Sequence, residues 1–177
     1  MNLRMDKISK IAFGGGCHWC TEAVFQSVKG VNLVEQGFVA SSKEYSSFSE
    51  AVIVHFDPNL ISLRVLIEIH LHTHKSASDH SMRSKYRSGI YSFSESQREV
   101  AEQILVSLKF ELEEELITKV YPFRSFRPSE SQFKNYYLKN PRKPFCQKYI
   151  HPKLNILLRK FSDKVNSEKV NSLMRTV

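Results

Sequence analysis

Apolar and polar positions along this chain change period several times, and each change marks an element. "KIAFGG" (10–15) is a short apolar run halted by glycines, which predicts a buried strand ending in a tight turn. From Cys17 to Val28 the apolar residues Trp19, Ala23, Val24 and Val28 recur at helical spacing, and Lys29 and Gly30 close the segment with a cation and a glycine stop. "VNLVEQGFV" (31–39) and "SEAVIVHF" (49–56) are β-rich runs joined by a serine-rich connection, which predicts two neighbouring strands. A turn at Asp57-Pro58 and an N-cap at Ser62 precede a helix whose Leu63, Leu66, Ile67 and His70 share one face.

The alternation continues with a strand at "SGIYSF" (88–93), an amphipathic helix over 94–116 with Ser94 and Ser96 as cap residues, and a strand at "ITKVYPF" (117–123). Pro128 and Ser129 open a short helix that Pro141 prevents from continuing, residues 142–152 lack periodicity and predict a loop, and "KLNILLRKF" (153–161) predicts a last helix. The pattern predicts an α+β two-layer sandwich: a mixed sheet with a ferredoxin-like strand-helix-strand-strand-helix-strand core and a C-terminal extension.

A length of 177 residues suits a single domain, with 147–177 as its basic C-terminal extension. Hydrophobic residues at 41% and charged residues at 25% fit a soluble globular chain. No apolar run approaches the ~20 residues that span a bilayer. The stretch "MNLRMDKISK" lacks the apolar core of a secretory signal, so a cytoplasmic location and no membrane partner are expected. The net charge of +8 lies in the tail: residues from Lys139 onward hold ten Lys/Arg and two Asp/Glu out of 26 and 18, leaving residues 1–138 balanced. No zinc-finger spacing, RNA-binding aromatic signature or basic heptad accompanies those cations, so nucleic acid is not the expected partner.

The chemistry concentrates in "FGGGCHWCTEAVF" (13–25). Three cysteines, Cys17, Cys20 and Cys146, are too few for a disulfide scaffold and point instead to reactive, metal-bound or inert thiols. Cys17 falls where a strand turns into a helix, and unpaired N–H groups at a helix start favour a thiolate below the usual thiol value of ~8.5. The preceding glycines let another molecule approach the backbone. Cys20, one turn along, shares a side with Cys17, which suits either a C-x-x-C redox pair or a core position. His70 and His74, with His80 or Asp79, have spacing compatible with a metal site, but no H-E-x-x-H pattern accompanies them, and no bound metal or cofactor is expected.

Four motifs in order then resemble the A-type peptide methionine sulfoxide reductases. "FGGGCHWCTEAVF" is similar to that family's G-C-F-W signature, "SEAVIVHFDPNLIS" to its H-A-E strand and D-P turn, "KYRSGIY" to its Q-Y-R-S-x-I-Y strand, and "NYYLKNPRKPFC" to its Q-Y-L-x-K-N-P segment before a C-terminal cysteine. The resemblance implies reduction of the S epimer of methionine sulfoxide, free or in proteins. Cys17 would attack the sulfoxide sulfur and become a sulfenic acid as methionine leaves. Glu50 would be the acid, kept protonated by an apolar pocket, and Tyr86 would donate its hydroxyl to the sulfoxide oxygen. Trp19 and His18 would wall the substrate pocket, with Tyr45 as the nearest candidate for a further substrate-binding tyrosine. Cys146, on its Pro-rich loop, would resolve the sulfenic acid, with Cys20 as the competing resolver. Thioredoxin or dithiothreitol would reduce the disulfide, and the enzyme would work as a monomer.

The chain departs from the family pattern in three places. His18 stands where the family has phenylalanine, "GFVAS" (37–41) replaces its G-Y-x-G-G turn ahead of a shortened loop, and Asp79 is displaced from the family's aspartate. Two other readings remain: a general C-x-x-C disulfide oxidoreductase, and a non-catalytic binding protein that uses the same scaffold with its histidines or basic tail.

Overall fold

The computed structural model describes residues Ile8–Arg175. Strands β1 (Ser9–Gly14), β2 (Val31–Ala40), β3 (Ser49–Phe56), β4 (Gly89–Ser92), β5 (Lys119–Pro122) and β6 (Ser125–Pro128) form one sheet in the order β5-β4-β1-β3-β2-β6. The inner four strands keep the antiparallel ferredoxin-like order, and β5 runs parallel to β4 at the edge. The helices are α1 (His18–Gln26), α2 (Leu63–Thr73), α3 (Glu95–Leu112), α4 (Tyr136–Lys139), α5 (His151–Lys160) and α6 (Ser167–Arg175).

The two-residue period of the strands sorts their side chains between two cores. Ile11, Phe13, Val52, Val54 and Phe56 enter the larger cluster, where they meet Ala23, Val24 and Phe25 of α1, Leu66, Ile67 and Ile69 of α2, and Leu108 of α3. Ala12, Ala51, Ile53 and Tyr91 face the other way, into a smaller cluster capped by Tyr45, Phe93, Phe123 and Phe126. Ser62 caps α2 by accepting from the Val65 N–H, and Ser94 caps α3 by accepting from the Gln97 N–H.

The structure departs from the sequence pattern mainly near the C-terminus. The predicted loop over 142–152 is largely helical: a π turn, Cys146–Ile150, leads directly into α5. Pro152 lacks an N–H and would crowd the carbonyl four residues back in a regular helix. The wide turn ahead of it, closed by the His151 N–H on the Cys146 carbonyl, absorbs that conflict. It also shifts the apolar phase, so that Cys146, Ile150, Leu154 and Leu157 are all buried without a 3.6-residue repeat across the junction. Each buried aliphatic side chain contributes roughly 1.5–3 kcal/mol.

Three other elements differ. Pro128 ends β6, which pairs with β2; a 3-10 turn at Ser131–Phe133 follows, and the α-helix begins only at Tyr136. The helix predicted over 94–116 stops at Leu112, with Glu113 in the left-handed region (φ 53°), because three consecutive glutamates repel and lie next to the negative end of the helix. The tail adds α6 and returns to the end of α1: Val28 bridges Val165, and the Lys29 N–H donates to the Lys164 carbonyl at 2.8 Å.

Candidate active site

β1 delivers the chain to the site through its glycines. Gly15 has φ +153°, and a Cβ there would lie 2.5 Å from the His74 ring, whereas a Cβ on Gly16 would meet nothing within 4 Å. The first glycine therefore lets the loop close onto α2, and the second leaves the approach to Cys17 open. Arg83 fixes the same loop from the opposite strand connection, donating to the Gly15 carbonyl at 2.8 Å and the Tyr86 carbonyl at 2.9 Å.

Cys17 is the N-cap of α1, half-buried, with its thiol held below the ordinary thiol value. The main cause is the neighbouring Cys20 thiol. The backbone at Trp19 and Cys20 adds to it, with the Cys20 N–H donating to the Cys17 carbonyl at 3.1 Å, while burial and the charge of Glu50 act in the opposite sense. The same contact, with burial, pushes the Cys20 thiol up. Cys17 is thus the more acidic of the two thiols.

Around the pair, a cavity of about 360 Å³ is lined by Gly15, Gly16, Cys17, Cys20, Tyr86 and Phe145, among others. Glu50 is 8% exposed; its Oε2 accepts the His18 backbone N–H at 3.0 Å, and its Oε1 lies 3.8 Å from Lys85 Nζ. Lys85 is held above its ordinary value, first by its hydrogen bond to Tyr86 and then by the charges of Tyr86 and Glu50. Glu50, Lys85 and Tyr86 therefore form one polar group next to the thiolate.

The His18 ring is buried, donates from Nδ1 to the Gly37 carbonyl at 2.7 Å and meets the edge of Phe38. Trp19 stacks on Tyr136 with ring centroids 4.0 Å apart and takes Phe145 edge-on at 5.3 Å. Together His18, Trp19, Phe38 and Phe133 line a second depression of about 400 Å³. The aromatic wall is held by Glu22, a buried carboxylate that accepts the N–H groups of Asn135 (3.0 Å) and Tyr136 (3.2 Å) and so joins α1 to α4.

His18 and Trp19 thus line a depression other than the Cys17 cavity, and two more of the residues singled out in the sequence also differ in placement. Tyr45 is set apart from the Cys17 cavity: a short turn at Lys43–Tyr45 places its ring on Tyr121 (4.7 Å) and under the Arg87 guanidinium (5.5 Å), at a different depression. Cys146 is on a helical turn, fully buried, and its thiol donates to the Asn140 carbonyl at 3.5 Å, so the mobile loop expected for it is corrected to a packed element. It remains close to Cys20, whose acidity its charge affects. All three thiols are free.

The family model described as "Peptide methionine sulfoxide reductase" matches residues 9–166. The chain belongs to this family. It is 32% identical over 167 residues to "Peptide methionine sulfoxide reductase MsrA" of Sulfolobus acidocaldarius, covering 86% of this chain and 95% of the relative. Its fold is similar to that of Mxr1 from Saccharomyces cerevisiae in reduced form (TM-score 0.67, 20% identity, 82% of this chain and 92% of that one). It is also similar to Mxr1 in complex with Trx2 (TM-score 0.56, 19% identity, 75% and 88%).

His74, marked in the sequence only for its metal-like spacing, and Lys153, which the sequence pattern left unmarked, complete the site of this family member. His74 packs under Gly15 and shares a 2.7 Å hydrogen bond with the Ser88 hydroxyl, while Lys153 of α5 lines the cavity beside Cys17 and Cys20. The signal for Lys153 was the charge excess of the tail, which carried no positional information. Among the described residues, no group of three or more His, Cys, Asp or Glu side chains could hold a metal ion; His70 and His74 stack on each other with centroids 4.0 Å apart.

Proposed function

We propose that this protein reduces the S epimer of methionine sulfoxide to methionine, with Cys17 as nucleophile. The observation that carries the reading is the place of Cys17 at the start of α1, one turn from Cys20 and in the lining of an open cavity, where its thiol is held below the ordinary value. Its thiolate attacks the sulfoxide sulfur while a proton reaches the sulfoxide oxygen, which ends on Cys17 as a sulfenic acid as methionine departs. Tyr86 and Glu50 serve that oxygen. His18 and Trp19, next to Cys17 in sequence, line the separate depression with Phe38 and Phe133, which offers an apolar wall for the substrate's methylthio group on that side of the thiol.

The placement of the thiols supports Cys20 as the first resolver. Its thiol is the group that acts most strongly on Cys17, whereas Cys146 is fully buried with its thiol on the Asn140 carbonyl. Attack of Cys20 on the sulfenic acid forms the Cys17–Cys20 disulfide and releases water. Cys146, near Cys20, can then exchange with that disulfide, and a thioredoxin or dithiothreitol supplies the two electrons that reset the enzyme. The chain works as a monomeric single domain in the cytoplasm. Burial of Ile150, Leu154, Val165 and Val170 in the main core supports including the basic extension in that domain.

The test is turnover of stereopure methionine sulfoxide with dithiothreitol. Reduction of the S epimer that disappears in Cys17→Ser is the expected result; no turnover by the wild type, or full turnover by Cys17→Ser, overturns the reading.

A further inference from the structure

The cavity beside Cys17 has no Asp or Glu in its lining, yet it carries Lys75 and Lys153. It adjoins a second depression of about 350 Å³, also free of acidic side chains, which shares Lys75, Tyr149 and Lys153 and adds Lys148. Some cations elsewhere are neutralised by a carboxylate: Lys85 by Glu50, Arg64 by Glu111, and Arg98 by Glu95 and Glu102. Among the described residues neither Lys75 nor Lys153 has a carboxylate within 4.0 Å.

Lys153 is the more telling of the two. It is half-buried, its ammonium donates only to the Thr73 carbonyl at the end of α2, and burial lowers its pKa. A cation brought out of water and given one neutral acceptor retains most of its capacity to bind an anion. Glu50, the carboxylate whose charge reaches Cys17, is already engaged by the His18 N–H and Lys85.

We propose that Lys153, Lys75 and Lys148 form a cationic track leading away from Cys17 that binds the carboxylates of acidic residues flanking an oxidised methionine. The track rests on the reductase reading and narrows its substrate class to methionine sulfoxide within acidic polypeptide segments. It also gives the basic tail a role, because Lys148 and Lys153 belong to it. Tyr149, which lines both depressions and lies under the Lys148 ammonium at 5.2 Å, provides the apolar floor between the charged contacts.

The experiment compares kcat/KM for three blocked pentapeptides with a central S-sulfoxide and acidic, neutral or basic flanks, using dithiothreitol so that no protein reductant competes for the surface. The acidic peptide is expected to exceed the basic one by about tenfold at low salt, an advantage that shrinks at about 0.5 M salt as the charges are screened. Lys75→Gln and Lys153→Gln should each lower the ratio of acidic to neutral rates, and Lys153→Arg should retain it. Because Lys75 is exposed and the salt dependence is read on the wild type, a misfolded Lys153 variant leaves the test intact. Equal rates on all three peptides overturn the proposal, whereas no turnover of any peptide overturns the reductase reading instead. If Lys153→Gln slows all three alike and moves the pH profile of Cys17 alkylation, the lysine serves the thiolate and the substrate track is overturned.

Discussion

Cys20 lies one helical turn from Cys17 at the start of α1, and the interaction between their thiols is the largest cause separating the acidities of two otherwise similar groups. Because Cys17 is lowered, its thiolate persists to a lower pH than that of a free cysteine. Alkylation of Cys17 by iodoacetamide, followed by mass spectrometry across pH, should therefore show a midpoint below the ordinary thiol value. Cys20→Ala should raise it by removing the largest cause, and Cys20→Ser should raise it less because the hydroxyl still donates. An unchanged midpoint in Cys20→Ala would show that the helix start alone sets the acidity.

The same contact decides which thiol meets the sulfenic acid. Treated with one equivalent of sulfoxide and no reductant, wild type should yield a Cys17–Cys20 disulfide, and Cys146→Ser should yield it equally. Cys20→Ser should accumulate a sulfenic acid that dimedone traps. A Cys17–Cys146 link formed at the wild-type rate in Cys20→Ser would return the resolving step to Cys146.

Glu50 accepts the His18 backbone N–H and has Lys85 on its other oxygen, so Glu50→Gln should fold while losing the carboxyl group proposed to pass a proton to the sulfoxide oxygen. The expected loss is about 10²-fold in kcat, the lower end for a general acid, with little change in KM. A decrease confined to KM would reassign Glu50 to substrate binding.

The core of the sheet was legible because β1 and β3 alternate two inward faces: Ile11 and Phe13 against Ala12, and Val52 and Val54 against Ala51 and Ile53. The helix start at Cys17 was legible for a similarly local reason, since glycines and a change of period coincide there. What the pattern could not show depends on contacts distant in sequence. Cys146 reads as a loop residue because Pro144 and Pro152 flank it, and its burial follows from a π turn with no repeat of its own. Tyr45 reads as a neighbour of Glu50, yet Arg87 and Tyr121, 42 and 76 positions away by residue number, draw its ring elsewhere. β6 is four residues of ordinary composition whose pairing with β2 only the closed sheet reveals.

Gly15 illustrates how tightly this loop is placed. Gly15→Ala would put a methyl 2.5 Å from the His74 ring at a backbone angle that side chains rarely adopt. Urea unfolding should register a loss of about 1–3 kcal/mol. Gly15→Ala combined with His74→Ala should lose less than the sum of the two single changes, because the smaller side chain removes the clash. Strict additivity would locate the strain in the backbone angle alone.

His70 and His74 make the fold sensitive to acid. Burial lowers the pKa of His70 well below its ordinary value and that of His74 to about 4, and the nearby positive charges of Lys153 and Arg83 push both in the same direction. The unfolded chain, with ordinary imidazoles near 6.5, then binds more protons than the folded one once the pH falls below that value. Stability is therefore full above about pH 6.5 and declines from there to about pH 4, with His74 contributing roughly 3 kcal/mol of the difference. His74→Gln, which cannot titrate, should lower stability at pH 7 through its lost contact with Ser88 and yet flatten the decline between pH 6.5 and 4. Urea midpoints measured across that range test the point: an equally steep decline in His74→Gln would assign the acid sensitivity to His70 and the carboxylates instead.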